Sequence, residues 1–217
     1  MKYEVILFDL DGTLTDTGIG ITNSVMYALN KFNISVKNRS ELYKFIGPPL
    51  YKSFKDFYGF STEKTQLAIK YYREYYSDKG IYENTVYSGM YELLDRLKAQ
   101  GKILAVTTSK PEKFAKIVIK SNKMDKYFNI VAGASMDDSR TSKAEVVEYA
   151  LSSLEYTDLS KVVIIGDRKH DIIGAKAVGI DSVGVLFGYG SREELEEYGA
   201  TYIAKNTEDV YEFVAGE

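Results

Sequence analysis

Apolar positions in this chain fall into two kinds of run. Short, largely apolar stretches rich in β-branched residues occur at residues 5–8, 102–107, 130–132, 161–165 and 182–185. Such stretches are the pattern of strands covered on both faces, as in a parallel sheet. Between them apolar residues return every three or four positions, the spacing of helices with one buried face. Residues 90–99 form one such segment, closed by Gly101 as a C-terminal stop. Pro111 suits the first turn of the next helix, which runs to about Ser121. Ser142-Lys143-Ala144-Glu145 reads as a capping box opening a helix to about Leu154. A further helix passes through Ala177 and stops at Gly179. Ser191-Arg192-Glu193-Glu194 reads as a second capping box, Tyr202-Ile203 as a last short strand, and a final helix starts near Thr207. Strands alternating with helices predict an α/β fold, a doubly wound parallel sheet.

One long segment interrupts the alternation. Residues 18–79 contain no convincing strand. Ile21, Val25, Met26, Leu29 and Phe32 fall on one helical face. A shorter helix at residues 40–45 ends at Gly47-Pro48-Pro49, a strong breaker, and residues 50–57 and 62–76 read as two more. The expected organisation is a core of residues 1–16 and 86–217 with an all-helical cap, residues 17–85, inserted after the first strand. Hinges are expected near residues 15–18 and 84–88, with Asp16 capping the first helix of the insertion. Tyr71, Tyr72, Tyr75 and Tyr76 make a broad aromatic stripe, expected to pack within the helical block.

Composition narrows the chemistry. A chain of 217 residues with formal charge −3 and no basic run suits a folded domain and argues against nucleic acid as a partner. It contains no cysteine, which excludes disulfides, thiol nucleophiles and cysteine-based metal sites, and a single histidine, which excludes a multi-histidine centre. No apolar run has the length to span a bilayer. With the first strand starting at Val5, no leader peptide is expected, and the cytoplasm is the expected location. A monomer or a homodimer is expected.

The candidate chemistry gathers at strand ends, where open α/β sheets place their sites. Asp9 and Asp11 follow the first strand, with Gly12 allowing a sharp turn or a close approach. Thr108-Ser109-Lys110 ends a later strand, Lys143 opens a helix, and Asp167 and Asp171 follow the strand at 161–165. Converging there, these groups would form a pocket of carboxylates, a hydroxyl and a cation. Clustered carboxylates repel one another unless a cation sits among them, and oxygen donors suit Mg²⁺. A phosphate ester is the natural partner of such a pocket. One carboxylate can attack phosphorus, and a second can protonate the leaving alcohol and later take a proton from water. Lys143 and Thr108 can hold the phosphoryl oxygens. Asp171 can equally cap the helix it opens, and Arg168, Lys169 and His170 read as exposed loop residues.

Asp9-Leu10-Asp11-Gly12-Thr13, Thr108 after an apolar strand, Lys143 at a helix start and Gly166-Asp167 through Asp171 resemble, in order and spacing, the four motifs of the haloacid dehalogenase superfamily of phosphohydrolases. The resemblance covers nearly the whole chain. It implies Asp9 as nucleophile and metal ligand, and Asp11 as general acid/base that also reaches the metal through its backbone carbonyl. It implies Thr108, Ser109 and Lys143 as substrate-binding residues. Asp167 would bind Mg²⁺ directly, with Asp171 binding through water or orienting the ligands. Gly47-Pro48-Pro49-Leu50 and Thr108-Ser109-Lys110-Pro111 resemble the phosphoglycolate-phosphatase-type branch, whose relatives include nucleotidases. Ser139-Arg140-Thr141-Ser142-Lys143 departs from the Lys-Pro-x-Pro form common in phosphoglycolate phosphatases. The implied activity is Mg²⁺-dependent hydrolysis of a small phosphorylated metabolite such as phosphoglycolate or a nucleoside monophosphate. A phosphosugar mutase and a non-catalytic phosphate-ligand-binding protein are the alternatives.

Overall fold

The computed structural model describes residues 2–137 and 139–216; Met1, Glu217 and Asp138, which fall within the expected core segments, lie outside the described residues. The chain opens with β1 (Val5–Phe8), whose four residues are all buried. A two-residue strand β2 (Thr15–Asp16) leads into α1 (Gly18–Asn30), a 3-10 helix at Arg39–Phe45, α2 (Leu50–Tyr58) and α3 (Thr62–Asp78). The chain returns through β3 (Thr85–Val86), which pairs antiparallel with β2. The outgoing and returning segments of the helical block are therefore tied to each other. Thr17 rather than Asp16 holds the N-cap position of α1 and makes no side-chain cap bond, while Asp16, one residue earlier, accepts a hydrogen bond from the Gly18 backbone N–H at 3.0 Å. The Gly-Pro-Pro turn separates the 3-10 helix from α2, and Gly59, at φ +61°, ends α2 in the left-handed conformation glycine favours.

The alternation then proceeds as α4 (Met90–Ala99), β4 (Ile103–Pro111), α5 (Glu112–Ser121), β5 (Ile130–Ala134), α6 (Lys143–Ser153), β6 (Val162–Gly166), α7 (Lys169–Val178), β7 (Asp181–Val185), α8 (Arg192–Glu197), β8 (Tyr202–Ala204) and α9 (Thr207–Ala215). The six longer strands form one parallel sheet in the order β5-β4-β1-β6-β7-β8. The expected α/β doubly wound architecture is what the chain adopts.

Side-chain alternation explains the layers. Ile6, Phe8, Leu104, Val106, Val163 and Ile165 join one core with residues of α4, α5, α9 and the helical block. Val5, Leu7, Ala105, Val162 and Ile164 join another with Val147 and Leu151 of α6 and Ala175 of α7. Successive strand residues point to opposite faces, so a run without polar residues is required where both faces are covered. No described helix is long and apolar enough to cross a membrane.

Three local expectations change. β4 continues past Thr107 to Pro111, so Thr108, Ser109 and Lys110 are still on the strand. Pro111 lies at the cap position of α5 rather than in its first turn. The second capping box is half formed: Ser191 Oγ accepts from the Glu194 backbone N–H, but the Glu194 carboxylate turns to Arg168 and to the Lys169 N–H instead.

Candidate active site

The sheet winds from β1 outward through β4 to β5, then resumes on the other side of β1 with β6. The carboxyl ends of β1 and β6 thus flank the crevice where ligands bind in open α/β sheets. Asp9 follows β1 there, its backbone N–H bonded to the Ile165 carbonyl at 2.8 Å. Asp167 follows β6, and Asp171 lies in the first turn of α7. One carboxylate oxygen from each of Asp9, Asp167 and Asp171 lies within 4.8 Å of the other two.

Lys143 enters this cluster from the first turn of α6, behind a complete Ser142–Glu145 capping box. Its ammonium contacts Asp9 Oδ1 at 2.8 Å and Asp171 Oδ1 at 2.7 Å, and donates to the Thr107 carbonyl at 2.9 Å. Burial works against that charge, but Asp171 and Asp9 outweigh it and hold the Lys143 pKa above the ordinary lysine range. Asp171 also accepts from the Arg168 backbone N–H at 3.1 Å, so it helps cap α7 while facing the cluster.

Among the described residues, Asp167 has only neutral donors, the Thr13 hydroxyl at 3.4 Å and the Tyr189 N–H at 2.7 Å. Burial, then the charges of Asp171 and Asp9, push its carboxyl well above the usual range. Asp171 is pushed up to about 6 by burial and by Asp9, against the pull of Lys143. Two buried carboxylates share one ammonium and a third beside them has none, a donor set with too few cations of its own. Their hard oxygen donors fit a divalent cation such as Mg²⁺.

Backbone crowds Asp167 closely. Gly12 adopts φ +90°, and a Cβ there would collide with the Asp167 carboxylate. Cβ atoms at Gly188 and Gly190 would also collide with Asp167. The loop carrying those two glycines reaches the helical block as well: the Tyr189 hydroxyl donates to Asp16, and its ring packs edge-on to Tyr43 at 5.5 Å.

Asp11 stands apart from the three-carboxylate cluster. Both its oxygens accept from the Lys110 ammonium, in a pair whose side chains are only 10% and 6% exposed. Thr108 is buried, and its hydroxyl oxygen accepts from the Lys110 N–H at 3.2 Å. Ser109 is half-buried. Asp11, Ser109 and Lys110 line a cavity of about 450 Å³ whose other wall comes from the helical block, including Phe45, Leu50, Ile69, Tyr72, Arg73 and Tyr76. A smaller cavity of about 180 Å³ adjoins Ser109, Lys143 and His170.

Several residues around the site escaped the sequence reading. Lys110 was legible only as part of Thr108-Ser109-Lys110-Pro111, not as the partner of Asp11. The tyrosine stripe divides: Tyr71 and Tyr75 pack on Phe32 and Tyr27 of the helical block, while Tyr72 and Tyr76 face the cavity. Arg168, Lys169 and His170 are half-buried rather than exposed. Arg168 pairs with Glu194 at 2.9 Å and donates to the Ile46 carbonyl at 2.8 Å, joining the acidic loop to the helical block.

A parallel sheet with clustered carboxylates and a buried lysine at its switch point is an arrangement suited to phosphoryl transfer. Residues 6–185 match the family model described as haloacid dehalogenase-like hydrolase, and the chain belongs to that family. It is 41% identical over 202 residues to a protein of Pseudomonas aeruginosa named 5'-nucleotidase, covering 93% of this chain and 91% of that one. It is 37% identical over 200 residues to Tyrosine-protein kinase PtkA of Mycobacterium tuberculosis, covering 92% of this chain and 68% of that one. A crystal structure of a predicted phosphatase from Clostridium acetobutylicum superposes with a TM-score of 0.96 at 44% identity, covering 100% of both chains. The chain is a phosphatase of the haloacid dehalogenase type.

Proposed function

We propose that this phosphatase is Mg²⁺-dependent and hydrolyses a small phosphomonoester through a phosphorylated Asp9. The observation that carries this reading is the Asp9 carboxylate held by Lys143 beside Asp167 and Asp171 at the switch point of the sheet. Lys143 fixes one oxygen of Asp9 while the carboxylate keeps a small exposed face, 7% of the side chain. An Asp9 oxygen forms a bond to phosphorus as the ester P–O bond breaks, and Asp11, entering this step as the neutral acid with one of its two Lys110 contacts released, gives its proton to the departing oxygen. Water then attacks the phosphoaspartyl group, Asp11 takes its proton, and phosphate leaves with Asp9 restored. Lys143 and the Thr108 hydroxyl hold the transferring oxygens. Asp9, Asp167, Asp171 and the Asp11 carbonyl would hold Mg²⁺, which would supply charge neutralisation when bound.

Residues 17–85 act as a cap over this chemistry. The short β2–β3 ribbon and the cavity lined from both sides support that division. Aromatic and aliphatic side chains dominate the cap wall, and Arg73 adds a cation. That lining favours a phosphomonoester with a sizeable, partly apolar body, such as a nucleoside monophosphate, over phosphoglycolate. A cysteine-free chain suits the reducing cytoplasm.

Asp9→Asn tests the nucleophile: turnover of p-nitrophenyl phosphate is abolished and no phosphoenzyme forms on brief exposure to substrate. Full activity in that variant would sink the assignment. Phosphate release measured over phosphoglycolate, nucleoside monophosphates, pyrophosphate and sugar phosphates, with and without chelator, identifies the substrate class and the metal requirement. Preference for phosphoglycolate refutes the reading of the cavity. Conversion of a sugar phosphate to its isomer without phosphate release identifies a mutase.

A further inference from the structure

The end of β4 is not a regular strand. Thr108 pairs with Gly133 of β5, but the next pairing joins Pro111 to Ala134, so three steps on β4 span one on β5. Ser109 and Lys110 are the extra residues of this bulge, and bulges re-aim side chains next to sites. The bulge is built in from behind. A Cβ on Gly133 would lie 2.5 Å from the Lys110 carbonyl oxygen and 2.7 Å from Glu112 backbone atoms, so only glycine lets the strands approach there. Arg140 clamps the same place, donating from Nε to the Gly133 carbonyl at 2.8 Å and pairing with Glu112 at 2.9 Å. The Lys110 N–H is tied to the Thr108 hydroxyl oxygen at 3.2 Å.

The device delivers one ammonium group to one carboxylate. Lys110 Nζ engages both oxygens of the ionised Asp11, and one contact remains available when the other oxygen carries the proton, so the group is held in both states. From the helical block, the Tyr76 ring stands over the same ammonium with its centroid 5.2 Å away, and Tyr76 is itself buried against Tyr72 and Phe114. A cation between a carboxylate and an aromatic face, shielded from water, is held more firmly than an exposed one.

We infer that Lys110 is a positioning residue that sets where the Asp11 carboxyl group stands toward the leaving oxygen, with Tyr76 shielding the pair from water. The inference rests on the reading of Asp11 as the group that hands a proton to the leaving alcohol. Misplacing such a group harms a poor leaving group far more than a good one, because p-nitrophenolate departs without a proton.

The test compares kcat/KM for p-nitrophenyl phosphate and for benzyl phosphate, of similar size but with an alkoxide leaving group. The comparison covers wild type, Asp11→Asn, Lys110→Met, Lys110→Gln and the double variant Asp11→Asn/Lys110→Met. Circular dichroism and thermal unfolding identify which variants are folded, and Lys110→Gln serves if Lys110→Met is not. Proton donation by a positioned group is worth roughly 10²–10⁴-fold. In Asp11→Asn the loss on benzyl phosphate exceeds that on p-nitrophenyl phosphate by a factor in that range. In the Lys110 variants it does so by about tenfold or more, and the double variant loses no more than Asp11→Asn alone. Equal losses on both substrates in the Lys110 variants, or a raised KM with kcat retained on both, overturn the inference and leave the reading of Asp11 standing. An Asp11→Asn variant without leaving-group dependence overturns both.

Discussion

Replacing Lys143 with methionine tests the electrostatic account of the site. The ammonium has three oxygen neighbours at 2.7–2.9 Å, two of them carboxylates. The side chains of Lys143, Asp9 and Asp171 are only 4%, 7% and 2% exposed. Methionine fills most of the space of the lysine stem, so the effect is that of charge rather than of a cavity. Removing one member of a buried ion pair costs about 3–5 kcal/mol, because the remaining charge stays buried without a partner. Here Asp9 and Asp171 both lose their cation beside a third carboxylate. For a chain of this size each kcal/mol moves the thermal midpoint by roughly 2–4 °C. The drop expected for Lys143→Met at pH 7 without divalent cations is therefore roughly 6–20 °C. The sign follows from Lys143's raised pKa: a lysine whose folded pKa stands above its unfolded value contributes its full stabilisation at any pH below the unfolded value, so pH 7 reads all of it. Urea denaturation gives the same quantity through its midpoint, provided the m-value is unchanged. Lys116→Met is the control: Lys116 pairs with Glu112 on the surface and is 59% exposed, and its loss costs within about 1 kcal/mol. A Lys143→Met protein as stable as the control variant would refute the account of Lys143 as the counter-charge to this cluster.

Two further outcomes follow from the same geometry. Gly12→Ala places a side chain at φ +90° and against the Asp167 carboxylate; the backbone strain alone costs about 1–3 kcal/mol, and phosphatase activity falls along with the thermal midpoint. Without a divalent cation, the raised carboxyl pKa values of Asp167 and Asp171 make folding bind protons. For Asp171 stability falls as pH rises from the ordinary 3.8 to about 6. Mg²⁺ competes with those protons, so it raises the thermal midpoint more at pH 8 than at pH 5, measured against a chelator-treated sample; an equal rise at both values refutes a metal bound among these carboxylates.

Much of the architecture was legible because its signals are local. The apolar run before Asp9, the Ser142–Glu145 box ahead of Lys143 and the glycine stops at 101 and 179 each act within a few residues, and the structure realises them. The groups that strand ends should carry could be named for the same reason. What escaped depends on contacts distant in sequence. Lys110 meets Asp11 only because β4 bulges against β5, which no residue in Thr108-Ser109-Lys110 announces. Glu194 has the spacing of a capping-box partner, yet Arg168, 26 positions earlier, takes its carboxylate. In the tyrosine stripe, Tyr72 and Tyr76 differ from Tyr71 and Tyr75 only by helical phase. The cavity beside one face of α3 separates them, and a single sequence does not show it.

The loop after β7 ties three separate parts of the chain together. Gly188 and Gly190 press on Asp167, the Tyr189 N–H holds one of its oxygens, and the Tyr189 side chain reaches Asp16 and Tyr43. Such a loop cannot be exchanged by itself. In a chimera built from two relatives, residues 187–190 have to come from the same parent as Asp167 and the Asp16 turn. A crossover placed between β6 and β7 would join sequences that each fold well and still leave the acidic pocket misfitted. For recombination, the unit of inheritance at this site is a set of three distant segments rather than any one motif.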